Sequence, residues 1–247
     1  MNTDNPYYLY GMHPVTDAVR QGRKFERIIF KKGLEGEQFR SLLDEVTQRG
    51  IPYQFVPVEK MNRLARGAHQ GVIAYLAQID YVPFEEMVEN ALSRKAAPVF
   101  LVLDGVSDVR NLGAIARSAE CAGVDGIVVP ERGSAAINAD AVKASAGALL
   151  RVPTARVPNL RTALYYFRES AFQIVAASEK AEDEMYDVNF RKASVIVMGS
   201  EGKGISEPVL SLCTVGARIP MEGKTGSLNV SVAAAVLLFE AVRQRKA

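Results

Sequence analysis

Five residues in the second half of this chain have the types and spacing to act on one substrate together: Asn111, Arg117, Glu201, Ser227 and Asn229. An arginine offers a permanent cation and a planar fork of donors, suited to a phosphate or a developing oxyanion. A carboxylate and two carboxamides can orient polar groups around it, and a hydroxyl can donate or accept. The five stand in three stretches: DGVSDVRNLGAIARSA (104–119), IVMGSEGKGIS (196–206) and RIPMEGKTGSLNVSVAAA (218–235). Each follows or begins on a short apolar, β-branched run, as a buried strand does, and then breaks into glycine and polar residues. Ligands of open α/β sheets sit in the crevice beyond the carboxyl ends of the strands. Three polar loops at three strand ends therefore say more than any one of them.

Taken singly, each residue also has a plain structural use. Asn111 suits the N-cap of a helix, and Ser227 and Asn229 suit the mouth of another. Arg117 suits a solvated helix face, and Glu201 an exposed glycine-rich turn. The spacing G-x-x-x-x-G-K-[ST] is absent, so the 199–204 loop is not a generic phosphate loop. No G-x-G-x-x-G follows the first strand of this half, which argues against a dinucleotide-dependent oxidoreductase.

The elements that must position these loops follow from pattern. Helices are expected over 14–21 and 38–48, the second closed by Gly50. Strands are expected over 27–30, 53–56 and 71–76, with a loop between the last two. This gives a small α/β domain over 7–78. The polar, acidic segment 79–98 reads as a linker with one short helix over 84–92. From residue 99 onward strand-like runs (99–103, 127–129, 152–157, 174–177, 195–198, 215–219) alternate with helical ones (112–122, 139–145, 160–169). Such alternation predicts a mostly parallel sheet covered on both faces over 99–247. The last helix, 230–243, is apolar nearly all round and is expected to be buried.

Composition narrows the classes further. The chain has 247 residues, 48% of them apolar, enough for two ordinary domains with real cores. Net charge is only +2, from 30 basic and 28 acidic residues, so any nucleic-acid site must come from local clustering. Cys121 and Cys213 have no metal-ligand spacing and no disulfide framework, and read as reduced thiols. The start, MNTDNPYYLYG, shows no basic and apolar leader, and the longest apolar run, 232–239, is too short to span a bilayer. A cytoplasmic protein with no membrane partner is expected.

The strings N-L-G-A-I-A-R (111–117), the 199–204 loop and S-L-N-V-S-V-A (227–233) stand in order, and together they resemble the three motifs of the SpoU branch of the SPOUT RNA methyltransferases. The resemblance covers about 99–245, and more weakly the N-terminal domain. It implies an α/β fold, a parallel-sheet domain with a trefoil knot preceded by a small α/β substrate-binding domain, and a homodimer. It implies methyl transfer from S-adenosyl-L-methionine to a ribose 2′-hydroxyl, with no metal. It places Arg117, Asn111, Glu201, Ser227 and Asn229 in the catalytic centre and Gly199, Ile219, Leu228, Met198 and Met221 around the cofactor. Glu201 and Asn111 are expected to orient Arg117.

The N-terminal stretches YGMHPVTDAVRQG (10–22) and HQGVIA (69–74) resemble the substrate-binding domain of rRNA-modifying SpoU enzymes. Arg20, Arg23, Lys24 and Lys32 cluster there with only Glu26 opposing them, and Arg66 lies before His69. Clustered cations are the footprint of a phosphate backbone, so these five are the expected RNA contacts. His13 and His69 read as structural. The substrate implied is RNA, with a guanosine of large-subunit (23S) rRNA ahead of tRNA. The rival with the same fold is a ribosome-assembly factor that binds RNA without methylating it.

Overall fold

The structure is a computed structural model that describes residues 8–65 and 68–246. It divides into two compact units, 1–80 and 81–247.

The first unit is built on a four-stranded sheet in the order β1-β4-β2-β3. Its strands are β1 (Tyr8–Tyr10), β2 (Phe25–Lys31), β3 (Tyr53–Val56) and β4 (Val72–Leu76). Strand residues alternate faces, and the two faces carry different cores. Ile28, Phe30, Val72 and Ala74 pack with Val15 and Val19 of α1 (Met12–Arg20) and with Phe39, Leu42 and Val46 of α2 (Glu37–Gln48). Ile29, Val56 and Ile73 pack with Met61 of α3 (Val58–Leu64). β1 and α3 were not expected. α1 begins at Met12 rather than at residue 14, because the Met12 N–H is capped by the Gln70 side chain at 3.1 Å.

The second unit is a six-stranded sheet in the order β10-β8-β9-β5-β6-β7, with every neighbouring pair parallel. Its strands are β5 (Val99–Leu103), β6 (Gly126–Pro130), β7 (Thr154–Val157), β8 (Gln173–Ala177), β9 (Ser194–Met198) and β10 (Val215–Ala217). All five residues of β5 and of β9 are buried, as expected of strands covered on both faces. One face packs on α4 (Phe84–Arg94) and α7 (Leu160–Glu169) through Phe84, Met87, Leu164 and Phe167. The alternate residues Leu101, Leu103, Ile127 and Ile196 are also fully buried. Among the remaining helices, α5 (Val109–Ala122) packs on α9 (Val230–Lys246) and on α6 (Ala139–Ala144), and α8 (Glu207–Leu210) on α7. Gly113 is where α5 meets α6, since a Cβ there would stand 2.5 Å from that of Ala144.

Two expectations change. The segment 79–98 is not a plain linker, because α4 puts Phe84, Met87, Val88 and Ala91 into the second core. Nor is α9 buried all round: Val232 and Phe239, seven residues apart and so on one stripe, are 47% and 49% exposed. Among the described residues no helix is long and apolar enough to cross a membrane.

Candidate active site

The site begins at the carboxyl end of β5. Asp104 ties the first loop to the second by accepting the Ser206 N–H at 2.7 Å. Four residues on, Asp108 caps α5, its Oδ1 accepting the Arg110 and Asn111 N–H groups at 2.8 and 2.9 Å. The expected cap, Asn111, is therefore not the cap. It lies inside the first turn, and its side chain is free to face the other two loops.

There it joins a closed set of hydrogen bonds. Asn111 Nδ2 donates to Glu201 Oε1 at 3.0 Å. Asn229 Nδ2 donates to the same oxygen at 2.6 Å and to Asn111 Oδ1 at 3.0 Å. Asn229 Oδ1 accepts from the Ser231 N–H at 2.9 Å and from Ser231 Oγ at 2.6 Å. The donor and acceptor roles agree all round, which fixes the orientation of both carboxamides. Asn229 does cap its helix, as its residue type suggested, while its amide nitrogen serves the cluster. The Glu201 carboxylate sits at the amino ends of α5 and α9, where the helix dipoles favour negative charge.

The second loop is shaped around Gly199. A Cβ there would fall 2.1 Å from the Gly204 carbonyl carbon and 2.2 Å from the Ile205 nitrogen, so only glycine fits. The Ser200 and Gly204 main chains exchange hydrogen bonds at 3.0 and 2.9 Å and close the loop on itself.

Loops two and three wall a cavity of about 520 Å³. Every residue expected around a cofactor lines it: Met198, Gly199, Ile219, Met221 and Leu228. Glu201, Ser227 and Asn229 line it as well. A fourth strand-end loop, at residues 177–180 after β8, adds Ser178 and Lys180. Sequence reasoning missed it, although the polar run S-E-K directly after an apolar strand was a readable signal. The size falls within the range of small-molecule sites, about 300–1,000 Å³. Apolar side chains beside glycine backbone and hydroxyls suit a ligand with one flat apolar part and one polar part. Among the described residues no group of three or more His, Cys, Asp or Glu could hold a metal ion.

Arg117 stands apart. It is exposed and, among the described residues, has no hydrogen-bond or ion-pair partner. Six residues along α5 from Asn111, it points about 120° round the helix from it. The expectation that Glu201 and Asn111 orient Arg117 is therefore not met; they orient Asn229 instead. Ser227 also has no side-chain partner among the described residues.

The N-terminal cations divide. Arg20 binds Glu45 through Nε and Nη2 at 3.1 and 2.9 Å, and Lys24 pairs with Asp80. Glu26, expected to be the opposing charge, is buried, and Glu45 and Asp80 also oppose the cluster, at Arg20 and Lys24. Arg23 and Lys32 are exposed and, among the described residues, unpaired. Arg66 lies outside the described residues. His69 is buried between the Gly71 N–H, which donates to Nδ1 at 3.0 Å, and Asn62 Oδ1, 2.9 Å from Nε2. With Nδ1 accepting, Nε2 donates, and the ring is a structural clasp. His13 is exposed. Burial, aided by the nearby Asp104 charge, pushes the Cys213 thiol up to about 12, which makes it an inert group.

Comparison with known proteins gives the family. The sequence model of the SpoU rRNA methylase family matches residues 98–239. The model for the substrate-binding domain of RNA 2′-O ribose methyltransferases matches residues 8–82. A protein of Bacillus subtilis strain 168 named as a TrmH family tRNA/rRNA methyltransferase, YacO, is 33% identical over 238 residues, covering 96% of each chain. An AdoMet-bound rRNA methyltransferase from Sinorhizobium meliloti superposes with a TM-score of 0.60 at 25% identity, covering 96% of this chain and 87% of that one. A TrmH/SpoU tRNA modifying enzyme of A. aeolicus superposes with a TM-score of 0.56 at 30% identity, covering 66% of this chain and 82% of that one.

Proposed function

The chain belongs to the SpoU family of RNA methyltransferases, and from that premise we propose that it methylates a ribose 2′-hydroxyl of a guanosine in large-subunit (23S) rRNA, using S-adenosyl-L-methionine. The observation that carries the reading is the Asn111–Glu201–Asn229 cluster, already assembled at the lip of a cavity lined by Met198, Gly199, Ile219 and Leu228. The apolar side chains suit an adenine ring, and the glycine backbone and hydroxyls suit the ribose and the amino-acid part of the cofactor. When bound, S-adenosyl-L-methionine supplies a sulfonium-borne methyl group, an electrophile.

The rest is done by the protein. Holding the 2′-oxygen in line with the methyl group can lower the barrier by roughly 7–11 kcal/mol. Glu201 and the two carboxamides fix loops two and three around that position. Arg117, with its planar fork of donors, stabilises the oxyanion that develops at the 2′-oxygen as the hydroxyl proton passes to solvent water, and grips the adjoining phosphate. Its lack of a protein partner leaves its donors for the RNA. Ser227, equally unpartnered, orders the substrate side of the cavity.

Support for rRNA over tRNA comes from the first unit, which matches a substrate-binding domain and which the rRNA methyltransferase structure extends over while the tRNA-modifying one covers only 66% of the chain. The reading includes a cytoplasmic homodimer, for which the exposed Val232 and Phe239 on α9 offer an apolar stripe. It also includes the family's trefoil knot, made where the C-terminal segment threads through a loop of the catalytic unit. Sedimentation of Phe239→Asp is expected to give a monomer; an unchanged dimer would remove α9 from the interface.

The test is transfer from methyl-labelled S-adenosyl-L-methionine to separate unmodified rRNA and tRNA pools, followed by nucleoside analysis. Label in 2′-O-methylguanosine of large-subunit rRNA is the expected result. Label only in tRNA would overturn the substrate, and label on a base would overturn the ribose chemistry. Cofactor binding without transfer to any RNA, immature ribosomal particles included, would favour the assembly-factor rival.

A further inference from the structure

Along the sheet from the cofactor cavity, past β9 and β5, lie the carboxyl ends of β6 and β7. Each of the three strand-end loops from β5 to β7 carries one arginine at the same rim. Arg110 is the second residue of α5, Arg132 stands two residues beyond β6, and Arg161 is the second residue of α7. All three are exposed and, among the described residues, none has a side-chain hydrogen bond or ion pair. Arg20, Arg151, Arg218 and Arg243 are each matched to a carboxylate. Two of the rim's own acids are committed: Asp104 and Asp108 accept backbone N–H groups. Glu131 and Asp140 remain exposed there.

We infer that this rim is an RNA track belonging to the catalytic unit itself, on which Arg110, Arg132 and Arg161 hold successive phosphates of the strand that flanks the target nucleotide. The inference rests on RNA being the substrate. Neighbouring strands lie about 4.8 Å apart, so the line from β5 to β7 extends roughly 10 Å from the mouth of α5. Cations left unpaired along a line cost little in water and gain by neutralising phosphates and releasing their counterions. The track leads away from the cavity, so RNA enters over the β7 edge while the cofactor keeps the β8–β10 side. Arg110 forms the inner end, one residue before Asn111, and shares a face of α5 with Arg117 seven residues on.

The experiment compares the full-length protein with its Arg132→Ala/Arg161→Ala variant. Binding of a fluorescein-labelled oligouridylate is followed by anisotropy at several KCl concentrations, and S-adenosyl-L-methionine binding by calorimetry. Loss of two phosphate contacts on a single strand is expected to flatten the slope of log K against log salt by about 1.4. Cofactor affinity stays at the wild-type value, and in methyl transfer KM for RNA rises while kcat is kept. The Arg132→Lys/Arg161→Lys variant restores the slope. An unchanged slope and unchanged KM in a variant that still binds cofactor would overturn the track. Should the alanine variant fail to bind cofactor, the glutamine pair is read in the same way. A wild-type protein that binds oligouridylate through these arginines yet methylates no RNA would leave the track standing and defeat the proposed activity.

Discussion

The cluster at the mouths of α5 and α9 and the guanidinium farther along α5 belong to one sequence pattern, yet the fold treats them in opposite ways. Asn111, Glu201 and Asn229 satisfy one another without any ligand. Arg117 has donors and no acceptor among the described residues. The first group is scaffold: it fixes loops two and three around the cavity before anything binds. The second is held in reserve for the RNA, where charge develops. A site divided in this way can take its cofactor independently of its substrate.

The largest effect should separate the two halves. Arg117→Ala is expected to lower turnover by about 10²–10³-fold, the usual cost of removing one oxyanion donor. S-adenosyl-L-methionine affinity, read by calorimetry, stays within about twofold of the wild type, given the lack of any bond between Arg117 and the cavity wall. Parallel loss of both would erase the distinction. Glu201→Ala attacks the scaffold and should do the reverse: it removes the acceptor that two carboxamides share, and cofactor affinity falls roughly tenfold, the equivalent of about 1.4 kcal/mol. An unchanged affinity would mean that the cluster does not hold the cavity. The smallest effect belongs to Asp108→Ala. Loss of an N-cap costs about 1 kcal/mol, which lowers the unfolding midpoint of a unit of this size by roughly 2–4 °C. Cofactor affinity should move little, and a large drop would place Asp108 in the scaffold proper.

The catalytic half was readable where local chemistry was decisive. β5 and α7 have the expected limits, because a five-residue apolar run and the Asn159 cap leave no alternative. The cavity residues Met198, Gly199, Ile219, Met221 and Leu228 were expected from the resemblance of these loops to the SpoU motifs, and all five line the cavity. The start of α5 was not. Asp108 and Asn111 are both good caps three residues apart, and only the bonds from Glu201 and Asn229 show why the asparagine was spared for the site. The acids that pair with Arg20 and Lys24 were not legible for a similar reason. They lie 25 and 56 residues away in sequence, at Glu45 and Asp80, and no local pattern shows such partners. α9 reads as buried because its composition is apolar, but composition does not record that one stripe is left without a partner. α3 and β1 are short elements whose stability comes from tertiary packing on the sheet.

The division between scaffold and reserve is tested most directly by side-chain nitrogen NMR of the isotope-labelled protein alone, with S-adenosyl-L-methionine, and with cofactor plus RNA. The expected result is that the Asn111 and Asn229 carboxamide signals are dispersed and slow to exchange in all three states, while the Arg117 Nε–H signal shifts and becomes protected only when RNA is added. Carboxamides that rotate freely in the protein alone, or an Arg117 signal that already moves with cofactor, would contradict it.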